Sequence, residues 1–278
     1  MLFLKEFAKA GWPAKAGMAM ILVYLFCAVF APLIAPYAET EVIITAPWAS
    51  AEESGTLLGL DQLGRDLWTR VLYGARNTIT IAIVITLLAF FIGMAAGFFA
   101  AVVGGVTDQL LSRIVDIIMA FPTLFFALIV LSILGTSVPV LIVVIAILDS
   151  TRVFRISRAL AMDISVMDYV EVAKLRGEGL WWIMRREVLP NALTPLIAEF
   201  GLRFCFVFLF ISALSFLGLG IQPPAADWGS MVRENAAAIT YGIMTPLVPA
   251  LAIAILTIAV NLVVDWFLRK TSGLRDEV

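Results

Sequence analysis

Long uncharged stretches alternate along this chain with short charge-rich ones, and the lengths of the uncharged stretches set the fold. Between Lys15 and Glu39 lie 23 uncharged residues, enough for one helix across a hydrocarbon core about 30 Å thick. A second run, Asn77 to Thr107, has 31 residues and places Gly93 and Gly97 four apart, a small-xxx-small face suited to close helix packing. A third, 32 residues enclosed by Asp116 and Asp149, is interrupted by Gly135-Thr136-Ser137-Val138-Pro139, which reads as a tight turn. Two spans of about 20 residues do not fit inside it. The third helix therefore starts near Leu110 and takes in Arg113 and Asp116, and the fourth runs from about Val138 past Asp149 to roughly Ile156. A fifth is expected from about Ala192 to Leu217 and a sixth from about Met244 to Leu268.

The pattern predicts an all-α integral membrane protein with six transmembrane helices. Residues 1–76 would hold an N-terminal cytoplasmic tail, the first span and an outer segment. Residues 77–278 would form a five-helix core with a cytoplasmic loop at 157–191. A cleaved signal peptide competes for the first run, but the run exceeds the usual apolar region and no clean small-x-small cleavage site follows.

Composition agrees. The 278 residues are 62% hydrophobic and 14% charged, with a mean hydropathy of +1.02. A net charge of −2 with no basic tail or stripe gives no reason to expect a nucleic-acid partner. Histidine is absent, which removes the commonest general base and the commonest metal ligand. Cys27 and Cys205 each lie inside an apolar run and read as packing residues, so neither a disulfide framework nor a metal site is expected. No catalytic constellation is visible.

Six spans place both termini on one side, and the basic residues say which. Thirteen of the 19 lie before the first span, between the fourth and fifth, or after the sixth. Arg65, Arg70, Arg76 and Arg233 lie on the other side, and Arg113 and Arg203 fall within spans. The positive-inside rule makes the termini and the 157–191 loop cytoplasmic.

That loop is unlike its surroundings. From Leu180 to Val188, apolar Leu180, Ile183, Met184 and Val188 recur at helical spacing, with Arg185 and Arg186 on other faces and Pro190 expected to stop the helix. Gly177 and Gly179 permit a sharp turn from a first short helix, Tyr169 to Arg176. Two readings stand: an interfacial linker anchored by Trp181 and Trp182, or a knob that docks into another protein's groove.

The pattern Glu171-Val172-Ala173, then Gly177, then Leu189-Pro190 resembles the EAA loop of bacterial ABC importer permeases. LGLDQLGRDLWTRVLYGAR (Leu58 to Arg76), DIIMAFPTL (Asp116 to Leu124) and LSFLGLGIQPPAADWGSMV (Leu214 to Val232) are similar to signatures of the dipeptide, oligopeptide and nickel branch. The resemblance covers most of the chain from Leu58 onward. It implies the type I ABC importer permease fold in a bacterial cytoplasmic membrane, with the loop as the coupling helix seated in an ATPase subunit. Glu171, Ala173, Gly177, Leu180, Ile183, Met184, Leu189 and Pro190 would be the coupling residues. It further implies a second, similar permease, two ABC ATPase subunits that bind the ATP and Mg, and an extracytoplasmic solute-binding protein. This chain has no P-loop of its own, and no cofactor is expected in it. Peptides lead among the substrates that relatives handle, with nickel, glutathione, opines and oligosaccharides behind them. Two departures stand out: Val172 replaces the second residue of the triplet, and Glu187 stands where the peptide branch commonly has His.

A translocation path is suggested by Asp149, Glu199 and Arg203. An acid at mid-span is a functional candidate, although Asp149 has Arg152 one turn on. Glu199 and Arg203, at i and i+4 with the acid first, suit either zwitterionic solutes or each other. Arg113 and Asp116 read as an anchor pair. Phe204 to Phe210 is either an apolar gate or packing, and Gly64-Arg65-Asp66 either a contact for a delivery protein or a helix cap. Gln222-Pro223-Pro224 and Trp228 read as a rigid outer loop. Outside this family, the rival readings are a secondary transporter and a membrane enzyme.

Overall fold

Helix α1 of the computed structural model, which describes residues 10–271, spans Trp12–Ile34 with Pro13 in its first turn, where a missing N–H costs nothing. Lys5, Lys9 and Arg275, which entered the sidedness argument, lie outside the described residues. The apolar side chains of α1, among them Leu22, Val29 and Leu33, point outward, as they would toward lipid. Its inner face packs on the last helix, α11 (Leu247–Thr271). A Cβ on Gly17 would meet the Ala259 carbonyl at 2.7 Å, and Tyr24 donates its hydroxyl to the Ala252 carbonyl at 3.1 Å.

A segment between α1 and the next long helix follows, with the short helix α2 (Ala51–Ser54) closed by a Ser50–Glu53 capping box. Helix α3 then runs Leu67–Val103, about 55 Å at 1.5 Å per residue. It starts well before Asn77 because the Asp66 carboxylate accepts the Thr69 N–H at 2.8 Å and caps it. Arg70, in the charged stretch before the uncharged run, is fully buried in ion pairs, so its charge is no bar to the helix.

The third expected helix is two. Helices α4 (Gly105–Met119) and α5 (Thr123–Leu134) meet at 86°, because Pro122 can neither donate nor allow helical backbone before it. Helix α6 starts at Val138 as expected but continues to Ser165, so the expected loop opens as helix. Short α7 (Asp168–Leu175) and α8 (Leu180–Ile183) follow, then a π-helical turn at Met184–Val188 that leads straight into α9 (Leu189–Phe216). Pro190 therefore does not stop the helix. It sits in the first turn of α9, and the wider π turn ahead of it relieves the clash that a regular helix would make. The Asn191 side-chain amide donates to the Glu187 carbonyl at 2.6 Å. After α9, α10 (Trp228–Glu234) and a 3₁₀ turn, Ala236–Tyr241, precede α11.

Four stretches are each long and apolar enough to cross a membrane: α1, α3, the continuous run 180–216, and α11. The bent α4–α5 pair qualifies as a fifth. Helix α6 has the length but carries Asp149, Arg152 and Arg155 in its first 18 residues.

Helices α3 and α6 form the closest pair, through the two glycines expected to do so. A Cβ on Gly93 would meet Ser150 O at 2.5 Å and Val153 Cβ at 2.7 Å; one on Gly97 would meet Phe154 O at 2.7 Å. Around this seam one apolar cluster joins α3, α6, α9 and α11 through residues such as Ile85, Ile145, Phe208, Ile211 and Leu256. A second, at the opposite end, joins Phe98 and Val153 to Val170, Ile183, Val188 and Leu196. It fastens α7 and α8 to the membrane helices.

Candidate functional site

Two clusters bring the candidate residues together. The first is the turn between α7 and α8. Helix α7 ends in a paired closure: Gly177 N–H donates to Lys174 O at 3.0 Å and Glu178 N–H to Ala173 O at 3.2 Å. Gly177 sits at φ +82°, the left-handed conformation this closure requires and other residues resist. Gly179, at ordinary φ, precedes α8 as its N-cap.

The eight residues singled out for coupling divide by burial. Ala173, Ile183 and Met184 are buried and Leu189 is half-buried, all packed toward the fold, whereas Glu171, Gly177, Leu180 and Pro190 face outward. The first set holds the element in place and only the second can touch a partner. Tyr169, Val172, Leu175 and Trp181 join that outward surface, with Leu175 82% and Trp181 71% exposed. Sequence reasoning missed Val172 and Leu175. Their i, i+3 spacing was the available signal, but Val172 was read only as a departure from a consensus. Trp182 turns inward, half-buried under the Arg176 guanidinium at 5.8 Å, so the two tryptophans are not a matched anchor pair.

The second cluster unites Asp149, Glu199 and Arg203 and adds Arg152. Asp149, only 1% exposed, lies 3.6 Å from Arg152 Nη1 on its own helix and 3.6 Å from Arg203 Nη1 on α9. Arg203 Nε is 2.7 Å from Glu199 Oε1. Both local pairings expected from the sequence are present, and Arg203 ties them into one network. Two acids balance two arginines. Both guanidinium groups lie over the Phe206 ring, at 4.3 Å for Arg152 and 5.5 Å for Arg203, and Arg152 Nη2 donates to Thr123 Oγ1 on α5 at 3.3 Å. Hydrogen bonding is incomplete: neither Asp149 oxygen has a donor in line. The network joins α5, α6 and α9. Within the Phe204–Phe210 run, Phe206 receives these arginines, while Phe208 is fully buried against Trp228.

Elsewhere the charges serve the architecture. Asp116 pairs with Arg155 at 2.7 Å, not with Arg113 on its own helix, and Asp108 pairs with Arg158. Both tie α4 to α6, because Arg155 and Arg158 come within reach only once α4 has folded back across α6. Around the start of α3, Arg65 bridges Asp61 at 2.7 Å and Glu234 at 3.0 Å, while Arg70 donates to Pro224 O at 3.1 Å. Gly64 (φ +77°) lies against the Ile44 carbonyl. Gly64-Arg65-Asp66 is therefore a turn, a buried ion pair and a helix cap. The loop before α10 is equally fixed: Trp228 Nε1 donates to Val71 O at 3.0 Å. Asp227 caps α10 through Ser230 N–H at 2.9 Å and accepts from Thr78 Oγ1 at 2.9 Å, and its burial pushes the carboxyl pKa above the usual range. No group of three acids or cysteines suited to a metal occurs among the described residues.

Comparison with known proteins bears on both clusters. The sequence model of the family described as binding-protein-dependent transport system inner membrane component matches residues 93–271, which include both. The chain is 35% identical over 268 residues to the di/tripeptide transport system permease protein DppC of Pseudomonas aeruginosa, covering 95% of this chain and 86% of that one. It is 33% identical to the dipeptide transport system permease protein DppC of Escherichia coli, over 95% and 87% of the two chains. The glutathione transport system permease protein GsiD of Pectobacterium atrosepticum is 30% identical, over 99% and 88%. Among solved structures, the crystal structure of an amino acid ABC transporter with histidines superposes with a TM-score of 0.51 at 21% identity, covering 72% of this chain and 94% of that one. The fold is shared.

Proposed function

Because the chain belongs to the family of binding-protein-dependent transport system inner membrane components, and is a multi-pass membrane permease on that ground, we propose that it is one permease subunit of an ATP-driven importer of peptides. The names of the relatives, di/tripeptide, dipeptide and glutathione permeases, support the substrate class. ATP and Mg would bind on two partner ATPase subunits, since no phosphate-cradling loop is present here. A second permease would complete the path and an extracytoplasmic binding protein would deliver the solute.

One observation carries this reading: a short helix pair, turned by Gly177, offers outward Val172, Leu175, Leu180 and Trp181 while its other face is buried against α3, α6 and α9. A rigidly backed apolar knob of this kind transmits force. Closure of the ATPases on ATP would push the knob, and α9, continuous with it from residue 180, would carry the motion to the charged network. Asp149, Glu199 and Arg203, with Arg152, would line the path where α9 slides against α6.

The test is affinity purification of the tagged chain from native membranes, with peptide uptake measured in parallel. Wild type should bring an ATPase and a second permease. Gly177→Val, which forces a β-branched residue into left-handed backbone at about 1–2 kcal/mol, should lose the ATPase and at least most of the uptake while the second permease stays. Wild type that purifies alone, or uptake that persists without ATP, would return the chain to the secondary-transporter reading.

A further inference from the structure

We propose that this chain carries a specific site for an anionic phospholipid, between the cytoplasmic half of α3 and the π-helical turn that follows α8. A cavity of about 210 Å³ opens there. Phe91, Met94 and Phe98 form its α3 wall, and Met184 and Leu189 the opposite wall. Its volume would take several waters at about 30 Å³ each, but the lining offers scarcely a polar atom to hold one. An apolar group fits it better than water does.

The polar exceptions sit at the rim. Arg185 lines the cavity, is exposed, and makes no ion pair among the described residues. Trp181 beside it and Phe91 on the membrane helix are both largely exposed, at 71% and 70%. The cavity lies at the end of the bundle where Arg155, Arg158, Arg176 and Arg186 gather, so its mouth is at the level of lipid phosphates. An apolar slot, an indole and a free guanidinium in that order match an acyl chain, a glycerol backbone and a phosphate.

A second feature points the same way. The π turn at Met184–Val188 offsets the helix by one residue, and both Met184 and Arg185, at its start, face the cavity. A regular α-helix would turn Met184 and Leu189, at i and i+5, away from each other, whereas the i to i+5 repeat of the π turn sets both on the cavity side with Arg185 next to Met184. A lipid seated there would brace α8 against α3 directly behind the outward knob. The inference does not depend on peptides being the substrate or on the identity of the ATPase.

Native mass spectrometry of the full-length chain, together with its melting temperature in detergent, tests it. The probes are phosphatidylglycerol, phosphatidylcholine and inorganic phosphate. Wild type should retain one phosphatidylglycerol in preference to phosphatidylcholine and melt higher with it. Arg185→Gln should cut that preference about fivefold, and Ala95→Trp, at an exposed position lining the cavity, should abolish retention without lowering the melting temperature of the lipid-free protein. Arg186→Gln, with its charge outside the cavity, should behave as wild type. Equal retention of the two lipids, equal loss in Arg185→Gln and Arg186→Gln, or retention unchanged by Ala95→Trp would overturn the proposal. Stabilisation by inorganic phosphate alone, equal to that by phosphatidylglycerol, would overturn it as well, because the apolar slot would then be idle.

Discussion

Arg203 holds a balance that no neighbour can replace. It is the residue within salt-bridge distance of both Glu199 on its own helix and Asp149 on α6, in surroundings where an unpaired charge costs several kcal/mol. Arg203→Met should therefore destabilise the protein by about 3 kcal/mol, because Asp149 keeps Arg152 while Glu199 loses the arginine it pairs with. Adding Glu199→Gln restores neutrality, and the double variant should melt above Arg203→Met although it lacks more native groups. Thermal unfolding in detergent reads the difference. If the double variant is no more stable, the cluster is held by packing and the cation–π contacts to Phe206, not by charge balance. The i, i+4 pair was legible in the sequence because helical spacing alone places Glu199 beside Arg203. Contact with Asp149 was not, since it depends on how α6 and α9 cross. Arg152 was assigned to Asp149 correctly but its place over Phe206 was equally invisible.

At the scale of elements, short-range chemistry was readable and its consequences at a distance were not. Gly93 and Gly97 announced a tight seam, and the seam exists. Because the atoms met there are backbone oxygens and nitrogens that cannot rotate aside, Gly97→Leu should cost about 1–3 kcal/mol or prevent folding, whereas Phe99→Leu on the exposed face should stay within about 0.5 kcal/mol. Equal losses would mean that α3 and α6 are held apart from this seam. Pro190 shows the opposite case. A proline after an amphipathic run is a sound reason to end a helix, yet here the π turn absorbs it and α8 becomes the leading end of α9. Uncharged length was a similarly local guide: it missed the start of α3, where Arg70 is neutralised by Asp61 and Glu234, partners brought in from the outer segment and from α10.

The number of membrane crossings is a question for the whole molecule, and the packing of α3 on α6 bears on it. Gly93 meets Ser150 and Val153, and Gly97 meets Phe154 and Arg158, so contacts advance in the same direction on both helices. Helices α3 and α6 run parallel. A chain that leaves α3 at Val103 must therefore travel back toward the opposite face before α6 begins at Val138, and the bent pair α4–α5 is the segment between them. Six crossings follow if that return is complete, and four if α5 only dips into the bilayer and α6 rises with it. Single cysteines introduced after Cys27 and Cys205 are replaced by alanine separate these cases. Leu63→Cys and Thr136→Cys should react with a membrane-impermeant maleimide from the outside, and Leu175→Cys only in inverted vesicles. Labelling of Thr136→Cys from the same side as Leu175→Cys would reduce the count to four and place Asp149, one helix beyond that turn, close to the cytoplasm. The charged network would then lie at the membrane surface, and its role in a translocation path would fall with the sixth span.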